Sequence, residues 1–115
     1  MKTPLDRAIE VTGCDMNLAK RLATLFLPNC KNIDRTIRTH FFKHQHDELA
    51  AAVHKLKSGL AMFGTEEVAK QCETLEQSAR NGDRDQMETL LNPFLESLDS
   101  VKRSLEEVLE PCPAN

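Results

Sequence analysis

The sequence predicts an all-α protein, an up-down antiparallel four-helix bundle with a short extra N-terminal helix. Three observations carry this expectation. A chain of 115 residues with 40% hydrophobic and 29% charged side chains has room for one domain and one core. With four Gly, no Trp and no Tyr, it lacks the length and glycine that doubly wound nucleotide-binding folds and barrel enzymes need. Apolar residues also recur at steps of three and four through long stretches separated by Gly, Pro and Asn.

No internal repeat, low-complexity tract or linker divides the chain, so residues 1–115 read as one unit. Pro4 opens a short helix over about 5–11, with Leu5, Ala8 and Ile9 as its apolar edge; Gly13 ends it and Asp15 can cap the next. The second helix spans about 16–43, with Leu18, Leu22, Leu25, Phe26, Ile33, Ile37 and Phe41 as the expected buried face. Pro28 lies inside it, and because proline removes a donor and crowds the preceding turn, a kink or break is expected near Leu27. The third helix covers about 47–63 and stops at Gly64; His44 and His46 fall in the loop before it.

The fourth, about 65–81, carries the stripe Val68, Cys72, Leu75 and Ala79, and Asn81-Gly82 then signals a turn. Asp83 with Gln86 three residues on resembles a capping box for the last helix, about 83–109. There Met87, Leu91, Phe94, Leu98, Val101, Leu105 and Val108 alternate steps of four and three, a seam facing other helices. Pro93 is expected to bend this helix, and Pro111 and Pro113 to prevent its continuation past Glu110.

The net charge of −3 and pI near 5.8 argue against a nucleic-acid binder, which needs surplus Lys and Arg. Charge is uneven, however. Between Arg35 and Leu60, Arg35, Arg38, Lys43, Lys55 and Lys57 outnumber Asp47 and Glu48, whereas acids dominate from Asp83 to Glu110. A local basic patch on an acidic body suits a small anionic group or an acidic protein partner. No apolar run approaches the ~20 residues that cross a bilayer, and Met1 to Glu10 has no signal-peptide core, so no membrane contact and a cytoplasmic location are expected. Cys14, Cys30, Cys72 and Cys112 form no C-x-x-C pair, which indicates neither a zinc knuckle nor a redox dithiol.

The third helix is the informative one. Its core stripe is Leu49, Val53, Leu56, Leu60 and Phe63, and at about 100° per residue His54 points roughly 160° away from that stripe, towards water. Around it on the same face come Ala50, Ala51, Lys57, Ser58 and Ala61. Solvent faces normally carry Glu, Lys and Gln. Small residues around one imidazole instead leave the ring uncovered and give a flat surface on which a protein can dock. A solvated His is largely a neutral nucleophile near pH 7, able to attack phosphorus or a carbonyl, and Lys57 at i+3 can set an ammonium beside an anion gained by the ring. Gly59, inside the helix, costs about 1 kcal/mol relative to Ala and points to close approach of something bulky.

The run His54-Lys55-Leu56-Lys57-Ser58-Gly59-Leu60-Ala61-Met62-Phe63-Gly64 resembles the signature of histidine-containing phosphotransfer (HPt) domains, His-x-Leu-Lys-Gly with small residues following and a second Gly ten places after the His. Cys72, Leu75, Glu76 and Arg80 fall at offsets where that family often has Cys, an apolar residue, Gln or Glu, and Arg. The short first helix and the bundle also follow the family's plan. One departure is that Ser58 stands where Gly usually follows the Lys, with Gly59 one place later; the Ser is small, and its hydroxyl can bond a phosphoryl group or the imidazole.

The resemblance implies a phosphorelay intermediate without self-contained catalysis. His54 would accept a phosphoryl group from a receiver-domain aspartate, supplied by a hybrid sensor histidine kinase, and pass it to another response-regulator receiver. It implies that Lys57 stabilises the phosphoryl charge, that Lys55, Ser58, Gly59, Ala61, Gly64 and Arg80 support or dock, and that Cys72 packs between helices. No cofactor is expected on this chain, since the receiver brings Mg²⁺, the acidic pocket and its own Lys. Docking is expected on the His54 face with the second helix beside it, through small and apolar side chains rimmed by Lys, in a transient interface. One core per chain and no spare apolar face favour a monomer.

Three other readings fit less well. His40 and His44 lie one turn apart, but two ligands without a third make no metal site. The dimerisation helix of a sensor kinase typically has Glu or Asp after its His, whereas Lys55 follows here. A non-catalytic adaptor bundle for signalling proteins is the alternative that the core seam allows.

Overall fold

In a computed structural model, which describes residues 3–109, five helices follow one another: α1 (Pro4–Thr12), α2 (Met16–Phe42), α3 (His46–Phe63), α4 (Glu66–Arg80) and α5 (Arg84–Leu109). The described residues contain no strand. Pro111, Pro113 and Cys112 lie outside the described residues.

Local chemistry sets the helix ends. Thr3 and Asp6 form a reciprocal capping box ahead of α1, with Pro4 in the first turn, and Gly13 closes the helix at φ 74°. Asp15 accepts from the Leu18 amide at 2.8 Å, Thr65 from Val68 at 3.2 Å and Asp83 from Gln86 at 3.2 Å. The expected capping box at Asp83 is only half made: the Asp83 amide donates to the Ser78 carbonyl, so the Gln86 side chain is not needed there. α3 starts at His46, which places that residue in the helix and not in the loop; His44 takes the turn at φ 58°.

α3 packs against α2 and α4, and α5 against α4 and α2, while α1 lies on α2, α3 and α5. Leu49, Val53, Leu56, Leu60 and Phe63 are 0–1% exposed, each worth about 1.5–3 kcal/mol of apolar burial. The α4 stripe is buried throughout, as is the α5 seam from Met87 to Leu105; Leu95 joins it and Val108 packs on its edge.

One expectation about α2 fails. Its buried face is Ala19, Ala23, Phe26, Cys30 and Ile37, whereas Leu18 and Leu25 stand exposed at 43% and 68%. Small alanines take the buried positions and Leu18 and Leu25 turn outward, so α2 does leave apolar surface uncovered. Of the kink or break expected near Leu27, the break does not occur: α2 runs on through Pro28, as α5 does through Pro93. Both prolines are exposed, so the carbonyl that each leaves without a helical donor is on the watered side and no buried group goes unpaired.

Candidate functional site

The middle of α3 and the second half of α4 build the site. The core stripe of α3 locks its inner face, so its outer face is fixed in direction, and there the His54 side chain is 59% exposed. Ala51, Ser58 and Ala61 are exposed beside it, and Lys57 is partly so. Ala50 is not part of this face: it is fully buried, because α4 packs on that flank.

On the α4 side the resemblance implied a role for Arg80, but no role was assigned to Glu76. Glu76, flanked by Leu75 and Ala79 of the core stripe, is itself buried, and its Oε2 lies 3.0 Å from His54 Nδ1. A carboxylate only accepts, so Nδ1 carries the hydrogen and donates, which in the neutral ring leaves the lone pair on Nε2. Arg80, one turn on, donates to the same Oε2 from Nε at 3.1 Å and Nη2 at 2.9 Å. Lys57 Nζ lies 3.6 Å from Oε1, which is buried and has no hydrogen-bond partner. One carboxylate thus faces His54, Lys57 and Arg80.

Burial pushes the Glu76 carboxyl up, but hydrogen bonds from Arg80 and His54 and the charge of Lys57 outweigh it and hold the group below its ordinary value of 4.5. A carboxyl depressed in the folded state adds stability that is present above its unfolded value and is lost as pH falls through its folded value. Thermal melts over about pH 5 to 3 should therefore show the parent losing stability on acidification more steeply than E76Q, which has no proton to gain there. Parallel curves would contradict the pairing. Cys72 completes the α4 contribution: its thiol donates to the Val53 carbonyl at 3.4 Å, and burial, with Glu76 nearby, pushes it up to about 11. It is a packing residue joining α4 to α3 just before His54.

Gly59 faces α2. A Cβ there would lie 2.8 Å from Phe26 Cζ and closer still to Cε1 and Cδ1, so the Phe26 ring occupies the space that glycine vacates and stacks on Phe63 at 5.7 Å. Gly64 ends α3 in an extended conformation, φ −92° and ψ −175°, so it is no left-handed stop; a Cβ there would meet Val68 Cγ1 and the Leu60 carbonyl oxygen. Lys55 turns away from Glu76 into the groove between α2 and α3 that Asn29, Asn32 and Thr36 also line. Ala61 lies on the other side, lining a cleft with Lys57, Lys70 and Glu73. His40 bonds Gln45 at 2.9 Å, and among the described residues no group of three His, Cys, Asp or Glu is placed to hold a metal.

The family model described as Hpt domain matches residues 21–110, more than half of the chain. The chain belongs to the Hpt domain family. Neither the curated proteins nor the solved structures give a match. Membership makes this Hpt domain a carrier of histidine phosphotransfer in two-component phosphorelays, a signal-transduction module that interacts with receiver domains and kinases and is not an enzyme of the usual kind. No helix among the described residues is long and apolar enough to cross a membrane.

Proposed function

We propose that His54 is the phosphoacceptor of this Hpt domain, taking a phosphoryl group from a receiver-domain aspartate of a hybrid sensor kinase and handing it to a second receiver. The observation that carries the reading is the imidazole itself: exposed, held at Nδ1 by a buried carboxylate, with Nε2 free. In the forward step the Nε2 lone pair forms the P–N bond, the bond from phosphorus to the aspartyl oxygen breaks, and its electron pair returns to the aspartate carboxylate. The ring is left with Nδ1–H and a positive charge, facing Glu76. Mg²⁺ on the receiver neutralises the phosphoryl oxygens from one side, and Lys57 does so from the other, leaving its long contact with Glu76.

The partner is expected to cover Ala51, Ser58 and Ala61 together with α2, where Leu25 stands exposed next to Phe26. Lys55 rims that surface. The helices run up and down, in keeping with the short connections at 43–45, 64–65 and 81–83. In this reading the chain works as a monomer in the cytoplasm, and no cofactor resides on it.

The test is label transfer. A receiver carrying ³²P on its aspartate is incubated with the protein, and the labelled peptide is identified; uptake at His54 in acid-labile form is expected, while no uptake, or acid-stable label on Ser58, would overturn the assignment. Lys57→Glu places a second carboxylate against Glu76 and the incoming phosphoryl, and should slow uptake by roughly 100-fold with helix content by circular dichroism unchanged. Loss of helix in that variant would mean that Lys57 is structural.

A further inference from the structure

Arg80 draws attention because both of its hydrogen bonds fall on one oxygen of a buried group. Glu76 Oε2 receives Arg80 Nε, Arg80 Nη2 and His54 Nδ1, while Oε1, equally buried, receives no hydrogen bond. The guanidinium is 54% exposed and the carboxylate 8%, so Arg80 closes the site from the solvent side of α4 with its Nε and Nη2 edge committed to Glu76. The loaded oxygen is the one that holds the imidazole.

We infer that Arg80 is a positioning residue for phosphotransfer: by clamping Oε2 and sharing its charge, it lets Glu76 orient His54 through Nδ1 without driving the ring to imidazolium. The inference rests on the reading of His54 as phosphoacceptor. A carboxylate beside an imidazole favours the protonated ring, and an imidazolium has no lone pair at Nε2 with which to attack. Yet the same carboxylate is wanted once the P–N bond has formed, when the ring bears positive charge and the Nδ1 proton stays in its hydrogen bond to Glu76. A guanidinium at hydrogen-bond distance from Oε2 moderates the carboxylate in the resting state and fixes its rotamer in both states.

No other group on the site can substitute. The charged and titratable groups facing the ring are Lys57 on its own helix and Glu76 and Arg80 on α4, with Glu73 lining the cleft beside Lys57. Cys72, nearby on α4, is spent on the Val53 carbonyl. On the other flanks of α3, α2 contributes His40 to the groove beside Lys55, and α1 reaches the end of the helix through Arg7 and the Phe63 carbonyl. Lys57 is past hydrogen-bond distance from Oε1 and is drawn to the phosphoryl group during transfer.

The experiment uses the full chain and its variants R80M, R80Q and R80K, with helix content checked by circular dichroism. Imidazole ¹⁵N shifts of His54 are followed against pH, and label uptake from a phosphorylated receiver is measured at about pH 6.5 and about pH 8.5. In R80M and R80Q the Nδ1–H tautomer signal of His54 should weaken and uptake should fall roughly tenfold at the lower pH and only two- to threefold at the higher, with R80K restoring most of both. An unchanged ¹⁵N spectrum, or an equal loss at both pH values, would overturn the inference and return Arg80 to a partner-contact role. The spectrum needs no receiver, so it separates failure of this inference from failure of His54 as acceptor, which the unaltered protein reports by label alone.

Discussion

His54→Gln is expected to reduce phosphoryl uptake to background while shifting Tm by no more than a few degrees. The two outcomes come from different parts of the residue. The glutamine amide nitrogen has its lone pair delocalised into the carbonyl and is no nucleophile, so the chemistry is lost outright. The fold loses little, because the imidazole is 59% exposed and contributes one hydrogen bond to Glu76, worth about 1 kcal/mol net, while the two Arg80 contacts keep the carboxylate paired. Label transfer and thermal melts on the same sample check both parts. Retained uptake would place the acceptor elsewhere, and a collapse of Tm would mean that His54 carries packing the structure does not give it.

Gly59→Val should have the largest effect on stability. Even a single Cβ would intrude on the Phe26 ring, and that ring is itself stacked on Phe63. A valine adds two further carbons in one stiff rotamer, so relief has to come from separating α2 and α3. Overpacking of this kind costs about 3 kcal/mol, which for a domain of this size lowers Tm by roughly 10–20 °C. The partner is testable by a double-mutant cycle. Phe26→Leu destabilises alone by opening a void, but in the Gly59→Val background it should recover part of the loss, a coupling above about 0.5 kcal/mol. Additive losses would show that the ring is not what excludes a side chain at position 59.

The fold was legible where one physical signal dominated. The α5 seam survives intact because every step of three or four in it is a large apolar residue, and the cap at Asp15 and the turn at Gly82 mark ends by chemistry that short-range sequence can show. α2 was misread because Leu18, Leu22 and Leu25 outrank Ala19 and Ala23 in hydrophobicity, whereas the packing buries the small residues. Nor does sequence spacing register on which side of a helix a proline falls, and that side decides whether Pro28 and Pro93 strand a buried carbonyl.

At the site, His54 and Lys57 could be found because an unexplained face of α3 pointed to them. Glu76 could not be found that way. Hydropathy counts it as polar, although the available signal was geometric: it sits beside Leu75 and one step before Ala79 on the buried side of α4, a carboxylate where the stripe calls for something apolar. A buried charge demands partners, and the two cations and one imidazole that answer it come from two helices, a juxtaposition visible only after folding. Arg80, seen from sequence as a surface cation available to a partner, is for the same reason tied inward. Gly59 was correctly read as a place of close approach, but the identity of the intruder, Phe26, depends on how α2 turns.

The two sides of α3 also have a bearing on how such a protein can change over generations. The residues that hold the bundle together, Leu49, Val53, Leu56, Leu60 and Phe63, share no surface with those a partner would read, Ala51, Lys55, Ser58 and Ala61. Substitutions on the outer side touch no core contact and sit within the small stability range of ordinary surface changes. Recognition can therefore drift, duplicate and diverge towards new receivers almost independently of foldability. The constrained exceptions are Gly59, fixed by Phe26, and the Glu76 cluster, which belong to both sides at once.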